Sequence, residues 1–83
     1  MYFKPNPKAQ VELKFRELFG QGSKVKVLGE RMRSQSGLAA HYVSTLTVDG
    51  RTVATASHAD WRKSYGLLKL EVERLHADGV VIA

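Results

Sequence analysis

Apolar positions along the chain first recur at helical spacing, then alternate, then return to helical spacing. Between Asn6 and Gly20, the residues Val11, Phe15, Leu18 and Phe19 mark one helical face, and Lys8, Gln10, Glu12, Lys14 and Glu17 mark the other. Asn6-Pro7 is a helix start, because Asn caps free N–H groups and Pro at the first helical position has no N–H to leave unpaired. Gly20 and Gly22 end this helix. Lys24-Val25-Lys26-Val27-Leu28 then alternates as a half-buried strand does. Gly29 reads as a bulge, with the strand continuing through Met32. Ser34-Gln35-Ser36-Gly37 is a polar turn.

A second strand is predicted from about Ala40 to Val48. Ala40, Tyr42, Leu46 and Val48 share the parity of its core face, and Val43, Thr45 and Thr47 the other. Asp49-Gly50 follows directly, a strong signal for a two-residue hairpin turn with both φ angles positive. The third strand runs from Arg51 to about Thr55 or Ala56. Ser57-His58-Ala59-Asp60 fits a capping box with Ser57 at the cap. Trp61, Tyr65, Leu68, Val72 and Leu75 then form a helical stripe. Gly66 interrupts that helix at some cost in stability, which points to the close approach of a neighbour. Asp78-Gly79 closes it. The apolar tail Val80-Val81-Ile82-Ala83 is expected either to dock on a sheet edge or to pair with a second copy.

The predicted order is therefore α-β-β-β-α. This is an α+β fold in which a three-stranded antiparallel sheet buries one face under two helices. Eighty-three residues make one domain, 1–83, with its core between about 6 and 77.

Charge adds a direction to this picture. The net charge is +5, and residues 1–33 hold eight of the thirteen bases but only three of the eight acids. Such an asymmetric basic surface suits a polyanionic partner, most often nucleic acid. Lys24, Lys26, Arg31 and Arg33 are expected as a basic row on an edge strand. The row either contacts a polyanion or guards the edge against pairing.

Other chemistries find little in the sequence. There is no Cys, which excludes disulfides, cysteine zinc sites and thiol catalysis. His41, His58 and His76 are scattered, without the spacing of a metal site, so no metal and no cofactor is expected. No nucleophile elbow occurs. Gly20-Gln21-Gly22-Ser23-Lys24 precedes a strand rather than a helix and so lacks the architecture of a phosphate loop. The expectation is that the protein is not an enzyme. No apolar run approaches a membrane span, and Met1 to Pro7 lacks the apolar stretch of a secretory signal, so a cytoplasmic location without a membrane partner is expected. Trp61, the sole Trp, belongs to the apolar stripe and is expected in the core, with a binding anchor as the alternative.

The element order, together with Gly37 between the first two strands, the run Tyr42-Val43-Ser44-Thr45-Leu46-Thr47-Val48-Asp49-Gly50-Arg51 and the small residues Ala54-Thr55-Ala56-Ser57, resembles the double-stranded RNA-binding domain family. The likeness covers roughly Asn6 to Ala77. The family opens its second helix with Lys-Lys-x-Ala-Lys, and the stretch aligned with it here is Ala59-Asp60-Trp61-Arg62-Lys63, where only Arg62 and Lys63 are basic. The loop between the first two strands is about two residues shorter in this chain and lacks the family's Pro. The resemblance implies a three-part RNA face. Gln10 and Lys14 on the first helix contact one minor groove, Ser36, Gly37 and His41 reach the next, and Arg62 and Lys63 grip the phosphates between.

Three functional readings follow. The first is a nucleic-acid-binding module that prefers structured or double-stranded RNA, with DNA second. The next is a protein-interaction adaptor on the same fold, possible as a homodimer through sheet and tail. In the third, the three-stranded sheet itself enters the major groove of DNA.

Overall fold

The computed structural model describes residues 6–20, 24–33 and 40–81. The chain order is α1 (Pro7–Phe19), β1 (Val25–Arg33), β2 (Ala40–Val48), β3 (Arg51–His58) and α2 (Trp61–Ala77). The three strands form one antiparallel sheet in the order β1-β2-β3. Both helices lie against it, and the α+β architecture predicted from the pattern is the one observed.

Local chemistry sets most boundaries where the sequence puts them. The Asn6 side chain accepts a 2.8 Å bond from the Ala9 N–H and Pro7 follows it, so α1 starts with both of its expected signals. Gly20 ends α1 at φ 92°. The hairpin between β2 and β3 turns on Asp49 (φ 51°) and Gly50 (φ 84°), the doubly positive conformation that Asp-Gly favours. The Asp49 carboxylate also accepts from the Lys24 N–H at 2.9 Å, which ties the start of β1 to the hairpin.

The core lies between sheet and helices. Val11 and Phe15 of α1 meet Val27, Leu46, Val48 and Ala54 of the sheet and Tyr65, Leu68 and Val72 of α2. The helices run parallel, since Lys14 reaches Glu73 and Phe19 packs edge-on against His76. A register shift between Leu46 and Thr47 leaves Val53 unpaired. This bulge changes the facing parity of β3, so that Ala54 turns inward opposite Leu46.

Four details differ from expectation. Gly29 is not a bulge, because β1 pairs with β2 without interruption and Gly29 faces Ser44. It is instead a space, since a Cβ there would lie 1.8 Å from the Tyr65 hydroxyl. Ser57 does not cap α2. The β2–β3 ladder extends to Tyr42 and His58, so Ser57 is drawn into the strand and Asp60 caps the helix. Gly66 meets no neighbour, and a Cβ there would project into open space. Val80 is exposed and Val81 is 87% exposed, so neither docks on the sheet, which leaves pairing with a second copy as the alternative for the tail. Ile82 and Ala83 fall outside the described residues.

Ser44 is the buried polar joint of the fold. It shares the inward parity of Leu46 and Val48 and is fully buried. Its hydroxyl donates to the Ser64 carbonyl of α2 at 2.9 Å and lies 3.3 Å from the Ala56 carbonyl of β3. One side chain thus joins the first turn of α2 to two strands. Ser44→Ala removes the donor and strands buried acceptors, so unfolding free energy is expected to fall by about 1–2 kcal/mol. Urea denaturation measures it, and an unchanged midpoint would refute the joint.

Candidate nucleic-acid interface

The candidate surface lies at the N-terminal ends of the two parallel helices. Asp60 fixes the start of α2 by accepting from the N–H groups of Arg62 (2.9 Å) and Lys63 (3.3 Å). Its own N–H donates to Nδ1 of His58 at 2.9 Å. The capping carboxylate therefore already occupies the helix N–H groups, and an incoming anion meets side chains rather than backbone. Ser64, buried in the first turn, donates its hydroxyl to the Trp61 carbonyl at 2.7 Å.

An open groove of about 520 Å³ separates the helix ends. Asn6, Gln10 and Val11 line one wall, and Trp61, Arg62, Gly66 and Lys69 the other. Arg62, Gly66 and Lys69 follow the i, i+4, i+7 spacing that keeps them on one side of α2. The missing side chain at Gly66 holds the groove open between the two cations. Arg62, Lys63 and Lys69 make no ion pair among the described residues.

Trp61 stands at the mouth of this groove and is not a core residue. It is 42% exposed, with its edge against Tyr65 and the Arg62 guanidinium 5.1 Å from its ring centroid. The stripe begins at Tyr65 because Trp61 sits on the first turn, past the end of the α1 packing. On its other side lies a smaller cleft of about 300 Å³, which also borders Arg31 and Tyr42.

The residues expected from sequence divide into groups. Gln10 and Arg62 line the same groove. Lys63 is exposed one residue farther around α2, outside the groove lining. Lys14 is not free. Its ammonium lies 3.5 Å from Glu17 and 3.8 Å from Glu73, and its side chain is only 24% exposed, so it joins α1 to α2. His41 is on the β2 parity opposite the buried Ser44, Leu46 and Val48, which places it on the sheet face away from the helices. Ser36 and Gly37 lie outside the described residues. The expected basic row on β1 is split by strand alternation: Lys24 and Lys26 take the parity of the open face, while Arg31 and Arg33 take that of Val27, toward the helices.

Lys69 was not among the expected contacts. Its signal was present as the i+7 partner of Arg62. Arg74 is neutralised by Glu71 and by Asp78, the latter at 2.7 Å, and the hydrogen bonds that Arg74 donates to Glu71 hold the Glu71 carboxyl below the usual carboxylate range. No group of His, Asp and Glu side chains suited to a metal occurs among the described residues. No helix among them is long and apolar enough to cross a membrane. No protein-family model matches the chain, and neither a curated protein nor a solved structure matches it.

Proposed function

We propose that this is a non-enzymatic nucleic-acid-binding module that holds structured or double-stranded RNA across the parallel N-terminal ends of α1 and α2. The observation that carries the reading is the shared groove, where Gln10 faces two cations, Arg62 and Lys69, that make no ion pair with a carboxylate among the described residues. Elsewhere on the helices Lys14 and Arg74 are paired with acids. Arg62 and Lys69 are thus two charges available to phosphates at the groove, beside other cations such as Lys8, Arg16 and Lys24 that also make no ion pair among the described residues.

The start of α2 changes the register of the family motif. With Asp60 as cap, the helix opens on Trp61-Arg62-Lys63-Ser64-Tyr65, two residues later than the alignment from sequence. In that register the buried Ser64 takes the place of the small Ala in Lys-Lys-x-Ala-Lys, while its three Lys positions fall on Trp61, Arg62 and Tyr65, of which only Arg62 is basic. Recognition of this kind reads A-form shape, phosphates and 2′-hydroxyls, with little dependence on base sequence.

A mobility-shift series with duplex RNA of about 16–20 bp, matched duplex DNA and single strands, at low and near-physiological salt, tests the reading. Duplex RNA is expected to bind best, and its affinity to fall steeply as salt displaces the protein from phosphates. Absence of binding at low salt, together with a stable dimer or protein partner, would establish the adaptor instead. A preference for duplex DNA that depends on Lys24 and Lys26 would establish the sheet as the reader.

A further inference from the structure

We infer that the smaller cleft beside Trp61 receives one unpaired nucleotide adjoining a double-stranded stem, its base stacked among aromatic rings. The inference rests on the RNA reading above and adds a selectivity to it. Trp61 and Tyr65 are walls common to the groove and the cleft, so the two spaces adjoin on opposite sides of these side chains at the first turn of α2. A strand whose phosphates follow Arg62 and Lys69 brings its next nucleotide to this point.

The cleft is suited to a base rather than to a second duplex. Its volume of about 300 Å³ is at the lower end of the range for small-ligand sites. Tyr42 rises from β2 on the helix-facing parity, and Trp61 and Tyr65 close the other side. At the floor, the missing side chain of Gly29 admits the Tyr65 hydroxyl, which makes no hydrogen bond among the described residues. That hydroxyl is free to pair with a base edge. Arg31, opposite Tyr42 in the β1–β2 register, makes no ion pair among the described residues and supplies a guanidinium for the phosphate or for the face of the base, beside Glu30, whose carboxylate also borders the cleft and disfavours a phosphate on its side. Proteins read single-stranded and bulged RNA with this combination, stacking unpaired bases on aromatic rings and on Arg planes. A base inside an A-form stem has both faces covered and cannot enter.

The test compares two RNA duplexes with identical stems, one blunt and fully paired and the other carrying a single bulged adenosine. The bulged RNA is expected to bind about tenfold more tightly, the scale of one base–aromatic stack, and to quench the fluorescence of Trp61, the sole Trp. Arg31→Gln and Tyr42→Leu lie outside the groove lining, so each is expected to abolish the preference while leaving blunt-duplex affinity in place. The exposed Arg31 keeps the test valid even if Tyr42→Leu fails to fold. Equal affinity for the two RNAs, with fluorescence unchanged, would overturn the cleft and leave the duplex reading standing. Failure of both RNAs to bind would overturn both.

Discussion

Replacing Arg62 and Lys69 together with alanine is expected to weaken duplex RNA binding by about a hundredfold near 0.15 M salt. A hydrogen bond to a charged group contributes on the order of 1.5 kcal/mol, slightly more than a tenfold change in affinity. The two cations border one groove and make no ion pair among the described residues, and the one contact given up is that of the exposed Arg62 with the exposed Trp61 ring. Stability should accordingly stay within about 0.5 kcal/mol of the parent. The logarithmic salt slope should fall by about one unit for each phosphate contact removed. Lys14→Ala is the informative control. Its ammonium is already committed to Glu17 and Glu73, so its removal is expected to affect helix docking more than binding. Affinity and slope unchanged in the double variant would overturn the groove. A larger loss from Lys14→Ala would return the contact to the middle of α1.

The element order was legible because each boundary carries its own local chemistry. Asn6-Pro7 and Asp49-Gly50 each admit few backbone conformations, and the stripe from Tyr65 to Leu75 has one period. What sequence did not disclose depends on partners far along the chain. Ser57 carries a good capping signal, but backbone pairing with Val43 extends the strand through it and moves the cap to Asp60. Ser44 looks like one polar residue in a strand. Only the approach of α2 and β3 makes its hydroxyl a buried joint.

The site shows the same division. Positive charge was visible in the composition, but whether a cation is free depends on which carboxylates the packing brings to it. Parallel helices put Glu73 beside Lys14, fifty-nine positions apart, and leave Arg62 and Lys69 without an ion pair among the described residues. Strand alternation likewise splits four basic residues of the β1 region between two faces. Trp61 obeys the spacing of the stripe and is still 42% exposed, because the stripe extends one turn beyond the body it packs against.

Gly29→Ala is expected to be the most damaging change of a single methyl group in the sheet. Ordinarily a glycine in a strand is improved by alanine, by roughly 0.5–1 kcal/mol. Here the added Cβ would lie 1.8 Å from the Tyr65 hydroxyl and 2.9 Å from the ring carbon that bears it. A flexible side-chain tip would move aside, but this ring is buried and packs edge-on against Trp61. Relief therefore requires α2 to lift or Tyr65 to leave its rotamer, at an overpacking cost of about 1–3 kcal/mol. A net loss of about 2 kcal/mol corresponds to roughly 10 °C in Tm for a domain of this size. Tyr65→Phe removes the nearest atom but leaves the ring carbon, so the double variant Gly29→Ala with Tyr65→Phe is expected to lose clearly less than the two single losses added together. Thermal melts of the four proteins close that cycle. The clash also has a functional consequence, because Tyr65 is a wall of both the groove and the cleft. A Gly29→Ala protein, measured well below its melting point, should lose its preference for the bulged duplex before its affinity for the blunt one. A melting temperature equal to the parent's would show that Tyr65 moves freely, and the pocket floor would then not depend on the missing side chain.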